Sequence, residues 1–107
     1  MSAPPSISTD PTVLPMVSVV MPVRNERAYI VQSLNAVLQQ DYPADRVEVI
    51  VVDGMSTDGT AEHVRLLQAV HPNLRLIDNP GRTAPKALNL AIDASKGEII
   101  VRVDGHC

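Results

Sequence analysis

The sequence predicts an α/β domain with a mostly parallel sheet and alternating helices. Three observations predict it. Four short runs rich in Val and Ile recur along the chain, each bounded by turn residues. Amphipathic stretches of helical spacing fill the intervals between them. The resulting order, β-α-β-α-β-α-β, favours right-handed crossovers and therefore parallel pairing. A length of 107 residues, 45% of them hydrophobic and 20% charged, has room for one core and not two.

In chain order, residues 1–15 carry Pro4, Pro5, Pro11 and Pro15 among Ser and Thr, with no apolar period, and are expected to form a flexible leader. The first strand is expected from Met16 to Val23. Asn25 stands where the first helix needs an N-cap, Ile30, Leu34, Val37 and Leu38 form its stripe, and Asp41-Tyr42-Pro43 ends it. The second strand runs from Val47 to Val52. Asp58 is the expected cap of the second helix, whose stripe is Val64, Leu67 and Val70 and whose stop is His71-Pro72. After a third strand, Leu74 to Ile77, the clearest helix places Ala84, Ala87, Leu88, Ala91 and Ile92 on one face, with Gly97 as a C-cap of positive φ. Glu98 to Val103 reads as the fourth strand. All four strands are expected to be mostly buried on both faces, with the second and fourth central.

Composition excludes several functions. A formal net charge of -3 removes the electrostatic case for nucleic acid. Aromatic residues amount to 2%, two Tyr with no Phe or Trp, so stacking platforms are scarce. The single Cys, Cys107, allows no internal disulfide and points to a reducing compartment. No apolar run approaches the roughly 20 residues of a membrane span, and the N-terminus lacks a secretory signal. A cytoplasmic location is expected. Dinucleotide, P-loop and nucleophile-elbow glycine motifs are all missing.

Ligands of open α/β sheets bind beyond the carboxyl ends of the strands, so the residues after each apolar run matter most. These are Pro22-Val23-Arg24-Asn25-Glu26, the segment from Asp53 to Thr60, Asp78-Asn79-Pro80-Gly81-Arg82 and Asp104-Gly105-His106. A lone Asp at a strand end is as readily a turn residue as a ligand. Asp53 and Asp104 together, each ending a Val-rich run, favour a bound cation or hydroxyl-rich ligand, because a rim carboxylate is otherwise desolvated. Arg24, Arg82 and Lys86 could be solvated charges; beside the carboxylates they suit phosphate oxygens. His106 has the chemistry of a metal ligand or of an ordinary surface His. Ser56 and Asn89 read as capping or packing groups.

The segment from Val17 to Glu26, VSVVMPVRNE, resembles the opening strand and loop of family 2 glycosyltransferases, usually close to VSVIIPVYNE. Glu48 to Thr60, EVIVVDGMSTDGT, is similar to their EIIVVDDGSTDGT. Lys86-Ala87-Leu88-Asn89, then Gly97-Glu98-Ile99-Ile100, follow in family order, and Asp104-Gly105-His106 occupies the place of the D-x-D motif. The D-G-H form resembles the succinoglycan and exopolysaccharide branch.

The resemblance implies a Rossmann-like GT-A fold, here ending after the fourth strand, with 16–107 as the N-terminal nucleotide-sugar-binding part of an incomplete domain. It implies a nucleotide-diphospho-sugar donor, a UDP-sugar before others, a divalent metal, Mg or Mn, and transfer with inversion to a glycan or lipid-linked acceptor in polysaccharide or cell-envelope biosynthesis. Donor-binding residues would be Pro22, Arg24, Glu26, Asp53, Arg82, Lys86 and Asp104; metal ligands would be Asp104 and His106. No candidate general base follows Asp104, so that base is expected beyond Cys107, as is any membrane attachment. Two departures stand out: Gly54 replaces the second Asp of D-D, and His106 the second carboxylate of D-x-D. The alternatives are a non-catalytic nucleotide-sugar binder and a receiver-like signalling module, whose acidic pair after the first strand is replaced here by Arg24-Asn25-Glu26.

Overall fold

Strands β1 (Val17–Val23), β2 (Val47–Asp53), β3 (Leu74–Asp78) and β4 (Ile99–Arg102) pair in parallel in the order β3-β2-β1-β4. The computed structural model describes residues 14–39, 42–81 and 83–103. Helices α1 (Arg27–Leu38), α2 (Thr60–Gln68) and α3 (Ala84–Ala94) connect the strands, with a 3-10 turn at Ala44–Arg46. Among the described residues no helix is long and apolar enough to cross a membrane.

Alternation along β1 and β2 sorts the core into two layers. Odd-numbered Val19, Met21, Val23, Val49 and Val51 pack with Ile30 and Leu34 of α1 and Val64 of α2. Even-numbered Val20, Ile50 and Val52 pack with Ala87 and Ala91 of α3, whose small side chains let that helix lie close to the sheet. Truncating a fully buried residue such as Leu34 to Ala costs about 2–5 kcal/mol in cores of this kind.

Ser18 and Glu48, a register pair on the α3 face near the amino ends of β1 and β2, are buried and polar. The Ser18 hydroxyl and the Lys96 N–H each donate to Glu48 Oε2 at 2.6 Å, and Arg75 Nη1 donates to Oε1 at 3.0 Å and to the Ala94 carbonyl at 2.8 Å. Burial pushes the Glu48 carboxyl up, but these hydrogen bonds and the Arg75 charge outweigh it and hold the group below its ordinary range.

The structure corrects several expectations. The fourth strand is not buried on both faces: among the described residues β4 is the last strand of the sheet, beside β1, and all of its residues are exposed. Gly97 is not a positive-φ cap, since α3 ends at Ser95 in extended conformation. Its small size serves a close approach: a Cβ there would lie 2.5 Å from Ser18 Oγ and 2.6 Å from Ser18 N. Asn25 does not cap α1; the helix starts after Glu26, and Asn25 adopts φ 52°. Gly59, at φ 97°, precedes α2, and Asp58 caps it from one residue further back. Val70 lies beyond α2 and Ile92 points outward on α3; both are exposed. Of the expected leader, 1–13 lie outside the described residues, while the Pro15 carbonyl accepts a hydrogen bond from the Tyr42 hydroxyl.

Candidate functional site

From β1 the chain passes to β2 on one side, and from β3 it crosses to β4 on the other. Their divergence at β1 opens a crevice beyond the carboxyl ends of the strands, the point where doubly wound sheets bind ligands. The crevice, about 230 Å³, is lined by Pro22, Val23, Arg24 and Glu26 after β1, Gly54 after β2, Asn79, Thr83, Ala84 and Ala87 around the start of α3, and Arg102 of β4.

Hydrogen bonds knit the β1 and β2 loops together. Gly54 N–H donates to the Val23 carbonyl at 2.8 Å. The Asp53 carboxylate accepts from the Ser56 N–H at 3.1 Å and from the Ser56 hydroxyl. That hydroxyl accepts the Asn25 N–H at 2.8 Å, and Asn25 Oδ1 in turn accepts the Thr57 N–H at 2.8 Å. The left-handed turn at Asn25, which Asn tolerates, is what presents both of its polar groups to the second loop. Glu26 N–H donates to Thr60 Oγ1 at 2.9 Å, and Glu26 Oε2 accepts the Arg24 N–H at 3.3 Å. Arg24 lies over Gly54, where a Cβ would stand 3.4 Å from Arg24 Cβ.

The predicted residues do not all converge. Pro22, Arg24 and Glu26 share the crevice. Asp53, at an odd position, lies instead on the α2 face, lining a cleft of about 330 Å³ with Met55, Ser56, Thr57, Ala61, Glu62, Arg65 and Asp78. Lys86 lines neither; it is exposed on α3, its stem against Gly81, where a Cβ would lie 2.3 Å from Lys86 Cδ. Arg82, Asp104 and His106 lie outside the described residues. Among the described residues no group of three or more His, Cys, Asp or Glu could hold a metal ion.

Three site residues escaped the sequence reading. Asn79 is buried at the end of β3; its Nδ2 donates to the Thr83 carbonyl at 2.9 Å and its Oδ1 accepts the Gly81 N–H at 3.1 Å, which shapes the loop into α3. The Asn-Pro-Gly string was the available signal. Arg102, in an otherwise apolar run, carries no local signal that it lines the crevice. Met55, at φ 64°, stands where the motif quoted above has Gly.

The strand order β3-β2-β1-β4 is that of the first half of a Rossmann sheet and differs from the 2-1-3-4-5 order to which receiver modules conform. Known proteins agree. Glycosyltransferase AglE of Haloferax volcanii is 43% identical over 95 residues, covering 88% of this chain and 31% of its own. Mannosyltransferase PcManGT from Pyrobaculum calidifontis, solved in complex with GDP-Man and Mn2+, superposes with TM-score 0.81 at 40% identity over 96% of this chain and 31% of that one. Staphylococcus aureus TarS 1-349 in complex with UDP gives TM-score 0.75 at 34% identity over 84% of this chain and 27% of that one. The chain therefore spans less than a third of the length of these relatives. Its fold is the amino-terminal part of the GT-A type, and residues 18–107 match the family described as Glycosyl transferase family 2. With the order of the sheet, the motifs at its carboxyl edge and these likenesses in agreement, the chain belongs to glycosyltransferase family 2.

Proposed function

We propose that this chain is the donor-binding part, residues 16–107, of an inverting glycosyltransferase that moves a sugar from a nucleotide-diphospho-sugar to a glycan or lipid-linked acceptor. One observation carries the reading: two clefts of opposite charge lie at the carboxyl ends of the same strands, one on each face of the sheet. The crevice beside β1 holds Arg24 and Arg102 against Glu26. The cleft beside α2 holds Asp53, Glu62 and Asp78 against Arg65. Diphosphate suits the first and the N–H edge of a nucleobase the second, which orients the donor along the ends of β1, β2 and β3. The nucleotides named for the similar structures, GDP-Man and UDP, both carry such an edge.

In this arrangement Pro22 and Glu26 border the ribose, Arg24 faces phosphate oxygens, and Asp53 accepts from base or ribose; Arg82 and Lys86 have the charge to reach the same phosphates from the loop before α3 and from its first turn. Asp104 and His106 are the residues that would hold a divalent ion, and their carboxylate and imidazole chemistry fits Mn2+ better than Mg2+. When bound, such an ion supplies charge neutralisation on the leaving diphosphate. The acceptor hydroxyl oxygen bonds to the anomeric carbon as the bond from that carbon to the diphosphate oxygen breaks, and the hydroxyl proton passes to a general base. The open apolar edge of β4 is where a following strand of a longer domain would pair.

Calorimetric titration with UDP and with GDP, in the presence of Mn2+, tests the assignment. Binding that is lost in both Asp53→Ala and Asp104→Ala supports it; binding unchanged in both rejects it.

A further inference from the structure

Met55 holds a left-handed backbone, φ 64°. That conformation is at ease for Gly and tolerable for Asn, but for a long side chain it brings Cβ against the following carbonyl at a cost in stability. No burial offsets the cost, since Met55 is 41% exposed. The hydrogen bonds that fix the loop run through Asp53, Ser56, Asn25 and Thr57 and use none of the Met55 side chain. Met55 lines the acidic cleft together with Asp53 and Asp78 from the ends of β2 and β3.

A polarizable thioether stem standing beside two carboxylates offers a ligand an apolar face and an acceptor edge together. Planar, N–H-bearing heterocycles match both, because sulfur and aromatic rings attract one another and ring N–H groups donate to carboxylates. Neither of the two Tyr residues lines either cleft, so no aromatic side chain among the described residues competes for this role. We infer that Met55 covers one face of the donor nucleobase, its strained backbone holding the side chain at the cleft while the N–H edge of the base turns toward Asp53 and Asp78. The inference rests on the donor-site reading above.

The test uses the full chain and three variants titrated with UDP, GDP and, separately, pyrophosphate, all with Mn2+. Met55→Gly and Met55→Asn accept the left-handed backbone without the thioether; Met55→Leu keeps an apolar face. Both polar-loop variants should lose roughly tenfold in UDP and GDP affinity, the size of one sulfur–ring contact, with pyrophosphate affinity unchanged. Met55→Leu, which keeps an apolar face without the sulfur, should recover only part of the loss, and the melting temperature of Met55→Gly should rise as the strain is relieved. Wild-type affinity for both nucleotides in Met55→Gly and Met55→Asn overturns the inference and leaves the donor site standing. An equal loss for pyrophosphate also overturns it, because the loop and not the base contact would then be at fault. Failure of the unsubstituted chain to bind either nucleotide removes the donor-site reading and this inference with it.

Discussion

Asp58 accepts the first backbone N–H of α1, from Arg27, at 3.1 Å through Oδ2, while its Oδ1 accepts the Thr60 N–H of α2, also at 3.1 Å. One carboxylate thus serves two helix starts whose own N-cap residues, Glu26 and Gly59, supply no side-chain cap. The Thr60 hydroxyl, working against desolvation and helped by the backbone N–H groups of Arg27 and Thr60, holds the Asp58 carboxyl below its ordinary range. A depressed folded-state pKa contributes stability that is fully present above the unfolded value, about 3.9, and is lost as pH falls through the lower folded value. The stability gap between the unsubstituted chain and Asp58→Ala, measured by urea denaturation, should be constant from pH 5 to 8 and shrink below about pH 4. A gap that stays flat down to pH 2 would contradict the double cap.

Glu48→Ala leaves the Ser18 hydroxyl, the Lys96 N–H and Arg75 without their acceptor. An orphaned buried donor costs about 1–3 kcal/mol; of the three only the Ser18 hydroxyl is fully buried, while Lys96 and Arg75 are exposed enough to turn to water, so a total loss of about 1–3 kcal/mol is expected. Denaturant midpoints report it; a loss below about 0.5 kcal/mol, the range of ordinary surface substitutions, would show that the network contributes little.

Gly97→Ala would place a Cβ 2.6 Å from the Ser18 backbone N, a contact no side-chain rotation relieves. The linker must shift, at about 1–3 kcal/mol, and β4 with it. Hydrogen exchange should show lost amide protection at Ile99–Arg102 while β2 keeps its own, and Ser18→Ala should fail to restore it. Unchanged protection in β4 would mean that the linker yields without the strand.

Arg24→Ala removes a cation from the crevice while leaving its backbone N–H bond to Glu26 in place. Loss of one charge-assisted contact, about 1.5–3 kcal/mol, corresponds to a weakening of roughly 10- to 100-fold in UDP or GDP affinity. The effect should diminish as salt rises, since the crevice is open to solvent. Equal affinity at low salt would place the diphosphate elsewhere.

The positions of β1 to β4 were legible because Val- and Ile-rich runs bounded by Pro, Gly and Asp have few other readings. The periodicity of α1 and α3 was legible for the same reason. The exposure of β4 was not: nothing local in Ile99–Arg102 distinguishes an exposed strand from a buried one, and its apolar pattern matched that of β2. Caps failed where partners were remote. Asn25 looks like a local cap and bonds instead to Ser56 and Thr57, more than thirty residues away. The division of the site between two faces follows from the odd position of Asp53 against the even position of Pro22, a parity that only a register can assign. Met55 reads as a plain apolar residue until its φ is seen.

The Glu48 carboxylate also bears on the order in which the chain folds. Its partners lie 30, 27 and 48 residues away, before it and after it. A chain emerging amino end first can pair Ser18 with Glu48 early, but that pair stays short of its Lys96 donor until all of α3 has been made. Closure of the amino end of the sheet is therefore a late event with a long loop to pay for, and β1, β2 and the return from α3 should lock together in one cooperative step.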